Sequence, residues 1–348
     1  MPDNSTTAPG SPVLRAPVPA LDLTATTGKR GDALMPPLLG AAAVFSGLVV
    51  TIVVAFVFRQ AWPLVQGQGL WSFITTGGWD MQLEEAWGSA TVHFGAMPLI
   101  LGTLYTTIGS VLVSLVLGLG CAVFIAELAP PFVRKPLEAV VQLLAGIPSV
   151  VFGLVGLSVV VPFITDYVVP QNSADVFPDI PLEGSSVLAG IVVLSFMILP
   201  FFVTVAVDSL RAVPRPYTDG GLALGMTKWR SITRIQLPAA APGLIAGIVL
   251  AAARAIGEAI ALSMVAGAIA YVPSLANGPL YFLIMPVRTM ASAIVESGGE
   301  AMSIPAIEAA LFGLAALLLV FSLTLSLFAR WVYVVFSERM GVVSARRV

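Results

Sequence analysis

Residues 38–58 read LLGAAAVFSGLVVTIVVAFVF, an apolar stretch without a single charged side chain. A helix of about 20 such residues crosses the hydrocarbon core of a bilayer. The apolar region of a cleaved signal peptide is shorter, at about 7–15 residues. The stretch therefore predicts a retained membrane-spanning helix.

The composition of the whole chain agrees with a membrane protein. Of its 348 residues, 57% are hydrophobic and only 10% are charged, whereas soluble domains carry about 25% charged residues. So few charges cannot cover a soluble surface, which excludes a soluble enzyme. The net charge of −2 leaves no basic surplus for nucleic acid. A polytopic membrane protein is the remaining class.

Five more apolar segments follow the first, which predicts an all-α integral membrane fold with six transmembrane helices. The six-span domain covers residues 34–335, after a disordered tail at 1–33 and before a tail at 336–348. The predicted spans are residues 36–58, 99–126, 139–165, 185–209, 240–270 and 305–330.

The basic residues predict the orientation of these spans. With the amino end inside, 14 of the 17 Lys and Arg residues fall in inner segments. Only Arg59 and Arg288 fall in outer loops, and Arg254 lies within a span. Lys and Arg concentrate on the cytoplasmic side of membrane proteins, so both termini are predicted to be cytoplasmic.

The inner loop at residues 211–238 is the most informative connection. It holds five of the 14 inner basic residues, and Pro214 and Pro216 stand at its start. Residues 217–225 are predicted to form a short helix that Gly225 terminates. The loop would present a compact helical element, or be no more than a basic loop without a partner.

Within this loop, Asp219 to Gly225, a gap of nine residues and then Ile235-Gln236-Leu237-Pro238 resemble the EAA loop of type I ABC importer permeases. In that family the loop forms a coupling helix seated in a cleft of the ATPase subunit. Here Asp219 stands for the family glutamate, and two glycines stand for its two alanines. The resemblance implies an ATPase-coupling role for Asp219, Gly220, Gly221, Ala223, Gly225, Ile235, Leu237 and Pro238.

The fifth predicted span contains two charges, Arg254 and Glu258. Four residues apart on a helix, they would share one face. Charged side chains within a membrane face a bundle interior or a water-filled cavity. The pair is either an ion pair that stabilises helix packing or part of an anion path. The second alternative is open because the planar N–H donors of arginine suit phosphate and other oxyanions.

Four further segments resemble phosphate-specific importer permeases of the PstC type. They are Arg254 to Glu258, Ala145 to Gly153, Phe94 to Thr103 and Pro286 to Thr289. The resemblance implies a translocation path that includes Arg254 and Glu258. It also implies a second permease of the PstA type, two ATPase subunits of the PstB type and an outer phosphate-binding protein of the PstS type, within membrane lipid.

The chain has no Gly-x-x-x-x-Gly-Lys-Ser/Thr loop, so ATP and Mg²⁺ would be bound by the ATPase partners. With one histidine and one cysteine, no cofactor or metal is expected in the chain itself. An ABC permease for sulfate or molybdate remains an alternative. A secondary transporter driven by an ion gradient is an alternative of another class, although no internal repeat supports it.

Overall fold

The computed structural model describes residues 29–339 apart from residues 87, 89–92, 172, 174–177, 179 and 181. Most of the predicted amino-terminal tail and residues 340–348 of the carboxy-terminal tail lie outside the described residues. The chain divides into two compact units, Met1–Val54 and Ala55–Val348. All of the predicted site residues belong to the second unit.

Helices make up nearly all of the regular structure in the described part of the chain. Three of them contain one π-helical turn, at Phe124–Leu128, Gly156–Val160 and Ile232–Gln236. In chain order the helices are α1 (Lys29–Gly67), α2 (Leu70–Thr75), α3 (Trp79–Ala86), α4 (Met97–Leu128), α5 (Pro131–Ala145), α6 (Ser149–Tyr167), α7 (Val187–Arg211), α8 (Arg215–Ala223), α9 (Lys228–Ile256), α10 (Ile260–Val265), α11 (Pro279–Ile284), α12 (Met290–Ser297) and α13 (Pro305–Arg339).

Six of these helices, α1, α4, α6, α7, α9 and α13, are long and apolar enough to cross a membrane. The prediction of an all-α fold with six spans is therefore confirmed. The central span is α7, because 61% of its apolar window is buried within the protein. No residue in the apolar window of α1 is buried.

Two predicted spans run across a break between helices. The predicted third span begins at residue 139, but Gly146 and Pro148 separate α5 from α6, and the span proper begins at Ser149. A proline disfavours helical geometry in the residue before it, which explains the break. The predicted fifth span runs to residue 270, but α9 ends at Ile256 and Gly257 follows it.

Buried serines hold the two most closely packed spans together. Ser114 Oγ on α4 donates to the Ser195 carbonyl oxygen on α7 at 2.9 Å, and Ser195 Oγ donates back to the Ser110 carbonyl oxygen at 3.3 Å. Small residues allow two membrane helices to approach closely enough for such bonds. The apolar core beside them includes Met197 and Phe202 of α7 and Ala251 of α9.

A second apolar cluster lies at the other end of the spans from the 211–238 loop. Phe73 of α2 and Trp79 of α3 are fully buried there, against Phe94, Leu99 and Ile307. The Trp79 and Phe94 rings are 5.3 Å apart between centroids. The segment between α1 and α4, which carries α2 and α3, is therefore packed against α4 and α13 through these large side chains.

Candidate functional site

Arg254 lies in the last turn of α9, far from the 211–238 loop. At 1.5 Å per residue it is about 24 Å along the helix from Pro238. Its guanidinium carbon lies 4.1 Å from the centroid of the Phe201 ring on α7, a cation–π distance. The side chain is exposed, so the guanidinium donors are open to a ligand.

Glu258 does not share a helix face with Arg254, contrary to the premise of the predicted pair. Gly257 ends α9 between them, and four-residue spacing brings two side chains together only on a continuous helix. Glu258 Oε1 instead accepts a hydrogen bond from the backbone N–H of Ala261 at 3.2 Å. The described residues contain no ion pair between Arg254 and Glu258; Glu258 holds the first turn of α10.

The 211–238 loop folds into two short helical pieces joined by a glycine. Helix α8 carries Asp219, Gly220, Gly221 and Ala223. Gly225 follows with φ of +82°, a left-handed conformation in which glycine is not strained. The chain then turns into α9, where Thr227 Oγ1 accepts from the Arg230 N–H at 3.3 Å as an N-cap. Ile235, Leu237 and Pro238 lie in the turns of α9 that follow.

The two pieces of this loop pack directly on each other. A β-carbon on Gly221 would lie 2.6 Å from Cδ1 of Ile235, whereas one on Gly220 would meet nothing within 4 Å. Ser231 Oγ of α9 donates to the Thr218 carbonyl oxygen of α8 at 3.2 Å. The close contact of Gly221 explains why glycine suits the position where the resembling family has alanine.

The outward surface of the same loop is apolar. Tyr217, Leu222, Leu224 and Trp229 are all exposed, with Leu224 at 87% of its full area. Asp219 lies exposed beside them. A cluster of exposed apolar residues rimmed by charges is typical of a protein-binding surface.

A charged cluster at the opposite end of the spans was not predicted as a unit. Arg288 is 8% exposed and donates through Nη1 to Asp80 Oδ1 at 2.9 Å and through Nη2 to Glu296 Oε2 at 2.6 Å. Asp80 Oδ2 also accepts from the Ala270 N–H at 2.6 Å. One signal was available, because Arg288 is one of only two basic residues in loops that carry many carboxylates.

Burial raises the pKa of Glu296 above its ordinary value, and the neighbouring Arg288 guanidinium opposes the increase. Desolvation disfavours the charged form of a carboxyl group, whereas a nearby cation favours it. Glu296 lies on α12, outside the six membrane-spanning helices.

The chain belongs to the family described as "Binding-protein-dependent transport system inner membrane component", which matches residues 114–342. It is thus a multi-pass protein of the prokaryotic inner membrane. Its fold is similar to that of a bacterial alginate ABC transporter in complex with an alginate pentasaccharide-bound periplasmic protein, with a TM-score of 0.50 and 18% identity over 88% of this chain and 98% of that chain.

Three curated relatives show higher identity. Probable ABC transporter permease protein YqgH of Bacillus subtilis is 39% identical over 59% of this chain and 60% of its own length. Phosphate transport system permease protein PstC of Mesorhizobium japonicum is 34% identical over 57% and 63%, respectively. PstC of Xylella fastidiosa is 32% identical over 78% and 82%. The match thus spans about three fifths of the first two relatives.

Proposed function

We propose that this chain is the membrane-spanning permease subunit of an ATP-driven importer of inorganic phosphate. Two of the relatives above bear the name of a phosphate transport system permease, and one of them matches 78% of this chain. The observation that carries the proposal is the position of Arg254. Its guanidinium is held on the Phe201 ring but exposed, at the end of a membrane-spanning helix.

The chemistry of Arg254 suits a transient anion site. A guanidinium binds phosphate oxygens through paired N–H donors, and a path must bind its ion weakly enough to release it. A single exposed arginine fits that requirement. Glu258 contributes by shaping the start of α10 next to the path, through its bond to Ala261.

The 211–238 loop is the proposed docking element for the ATPase. Its exposed Leu224 and Trp229 would enter a cleft of a PstB-type subunit, and Asp219 would contact the rim of that cleft. Two such subunits would bind ATP and Mg²⁺, since this chain supplies no phosphate-binding loop of its own. The chain is a transport subunit and not itself an enzyme.

The remaining partners are a second permease of the PstA type, a phosphate-binding protein of the PstS type and the surrounding lipid. With the termini and the 211–238 loop in the cytoplasm, ATP binding would pull on that loop and open the path outward. The docked binding protein would then release phosphate past Arg254. Hydrolysis would return the path to the inward-facing state.

Phosphate uptake at limiting phosphate tests the proposal. Cells that lack their own phosphate-specific permease receive this chain with its cognate partners, as wild type or as Arg254→Ala. We expect uptake with wild type, resistance of that uptake to excess sulfate or molybdate, and loss of uptake in an Arg254→Ala complex that still assembles and hydrolyses ATP.

Three further variants separate charge from geometry. Arg254→Lys keeps the charge but not the planar fork, so uptake should fall partway. Glu258→Gln keeps an oxygen that can accept from Ala261, so uptake should persist, whereas Glu258→Ala should reduce it. An assembled, ATP-hydrolysing complex without phosphate uptake would contradict phosphate as the cargo. Full uptake by Arg254→Ala would contradict the path role of Arg254.

A further inference from the structure

A polar cavity of about 570 Å³ lies at the end of the spans that carries the 211–238 loop. Its walls come from the last turn of α4, the start of α5, the end of α7, and helices α8 and α9. A volume of this size is in the range of small-molecule sites, roughly 300–1,000 Å³. The charged side chains that line the cavity are Arg134, Arg211, Arg215, Lys228, Glu127 and Asp219.

The two carboxylates that line the cavity form no ion pair with its cations among the described residues. Among the described residues, Arg211 is the only lining cation with a carboxylate within 4 Å, and that partner is Glu138, which is not itself in the lining. Glu127 Oε1 accepts instead from Gln236 Nε2 at 2.5 Å. The Glu127 carboxylate is thus engaged by an amide and not by a cation.

Two of the other three cations are fixed by hydrogen bonds to backbone carbonyl oxygens, whereas the exposed side chain of Arg215 makes no hydrogen bond or ion pair with described residues. Arg134 donates through Nη2 to the Ala129 carbonyl oxygen at 3.2 Å, while its buried Nε has no hydrogen-bond partner among the described residues. Lys228 Nζ donates to the Glu127 carbonyl oxygen at 2.5 Å. The Lys228 ammonium and the Arg134 guanidinium each carry more N–H donors than these bonds use, so an anion in the cavity would supply acceptors for them.

We infer that this cavity binds a phosphoryl anion that joins Arg134, Arg215 and Lys228. Two arginine forks and an ammonium group suit the oxygens of a phosphate. The source is either the headgroup of an anionic phospholipid or free inorganic phosphate, because basic pockets between membrane helices bind anionic headgroups. The site is distinct from Arg254, which lies at the other end of α9.

A ligand here would link α5 to both pieces of the 211–238 loop. Arg134 lies on α5, Arg215 on α8 and Lys228 at the start of α9. A shared anion would fix the position of α8 relative to the bundle, and with it the exposed apolar surface of the loop. Binding of an anion in this cavity would therefore affect the loop that is proposed to dock the ATPase.

The test compares the full chain, purified in a maltoside detergent that contains no phosphate, with two double variants. Arg134→Gln/Arg215→Gln removes two cavity cations. Arg230→Gln/Arg234→Gln is the matched control, because both arginines belong to the same loop but do not line the cavity. One arm measures phosphatidylglycerol bound per chain by native mass spectrometry. The other measures radiolabelled inorganic phosphate by equilibrium dialysis, with Arg254→Gln in every chain.

We expect the cavity variant, and not the control, to lose about tenfold in affinity, which corresponds to about 1.4 kcal/mol. Loss confined to the first arm identifies a lipid headgroup, and loss confined to the second identifies free phosphate. Equal binding by the cavity variant and the control in both arms would overturn the inference. If the double variant is not monodisperse, Arg215→Gln alone replaces it, since the Arg215 side chain is exposed and only its backbone carbonyl oxygen takes part in a side-chain hydrogen bond, from Thr218 Oγ1.

Discussion

The guanidinium of Arg288 and the carboxylate of Asp80 lie 2.9 Å apart, although 208 positions separate them in the chain. The contact joins α3, in the first loop, to the segment that precedes α12. Arg288 also binds Glu296, and its backbone packs against α4, where a β-carbon on Gly102 would lie 2.4 Å from the Arg288 carbonyl oxygen. One buried arginine therefore holds three separate parts of the chain together.

Replacement of Arg288 should destabilise this end of the molecule. Arg288→Gln leaves two carboxylates without their cation, and removal of one partner of a buried pair costs about 3–5 kcal/mol. Asp80 and Glu296 are partly exposed, at 36% and 22% of their side chains, so we expect a smaller loss of about 2 kcal/mol. Thermal unfolding in detergent measures the change.

Arg59→Gln is the matched control for this variant. Arg59 is the other basic residue predicted for the outer loops, it is exposed, and it makes no ion pair with described residues. Its unfolding midpoint should stay within error of wild type. Equal midpoints for Arg288→Gln and wild type would show that the cluster contributes nothing to stability.

The raised pKa of Glu296 gives the stability of the chain a distinctive pH dependence. Between the ordinary value of 4.5 and the raised pKa, the folded chain binds a proton that the unfolded chain has released. The contribution of Glu296 to the free energy of unfolding therefore increases as the pH falls through the raised pKa, and it levels off below 4.5. Most paired carboxylates have the opposite dependence.

The difference in unfolding midpoint between wild type and Glu296→Gln, measured across acidic pH, isolates this effect. We expect wild type to gain on the variant as the pH falls. Glu84→Gln is the control, because Glu84 is an exposed carboxylate on α3. A difference that is constant with pH would contradict the raised pKa of Glu296.

The apolar segments of the sequence predicted six spans because membrane helices must satisfy their backbone hydrogen bonds within one segment. The residues at which the helices begin and end were harder to predict from the sequence. Gly146-Ile147-Pro148 divides an apolar stretch into α5 and α6, and Gly257 stops α9 within another. Both stretches stay apolar across these breaks, so only the backbone geometry shows where the helices are interrupted.

The candidate site illustrates the same limit. Spacing alone placed Arg254 and Glu258 on one helix face, and that placement was wrong because the helix ends between them. Asp80 and Glu296 lie 208 and eight positions from Arg288 in the sequence, yet both carboxylates contact its guanidinium. Contacts between distant loops depend on the packing of the whole bundle, which a local pattern does not contain.

The contact between Gly221 and Ile235 should determine how well the 211–238 loop tolerates alanine. Gly221→Ala introduces a methyl group 2.6 Å from Ile235 Cδ1, so the end of the Ile235 side chain must move and the contact between α8 and α9 is perturbed. We expect less copurifying ATPase and lower phosphate uptake. Gly220→Ala is the matched control, since its methyl group meets nothing within 4 Å and it favours the helix by about 1 kcal/mol.

Removal of the opposing methyl group should rescue the first variant. Ile235→Val lacks Cδ1, so the double variant Gly221→Ala/Ile235→Val should recover ATPase binding relative to Gly221→Ala alone. A double-mutant cycle measures the coupling between the two positions. Additive effects of the two substitutions would show that the loop accommodates the methyl group elsewhere.

The Phe201 ring should act as a positioning residue for Arg254. Phe201→Leu keeps an apolar side chain on α7 but removes the aromatic face, which contributes about 0.5–1 kcal/mol in an exposed cation–π contact. We expect the phosphate concentration for half-maximal uptake to rise about two- to fivefold, while ATP hydrolysis and assembly are unchanged. Phe201→Tyr, which keeps the face, should restore wild-type uptake. Phe196→Leu is the control, because Phe196 is an exposed ring on the same helix without a described cation partner; a change of equal size in that variant would assign the effect to α7 in general and not to Arg254.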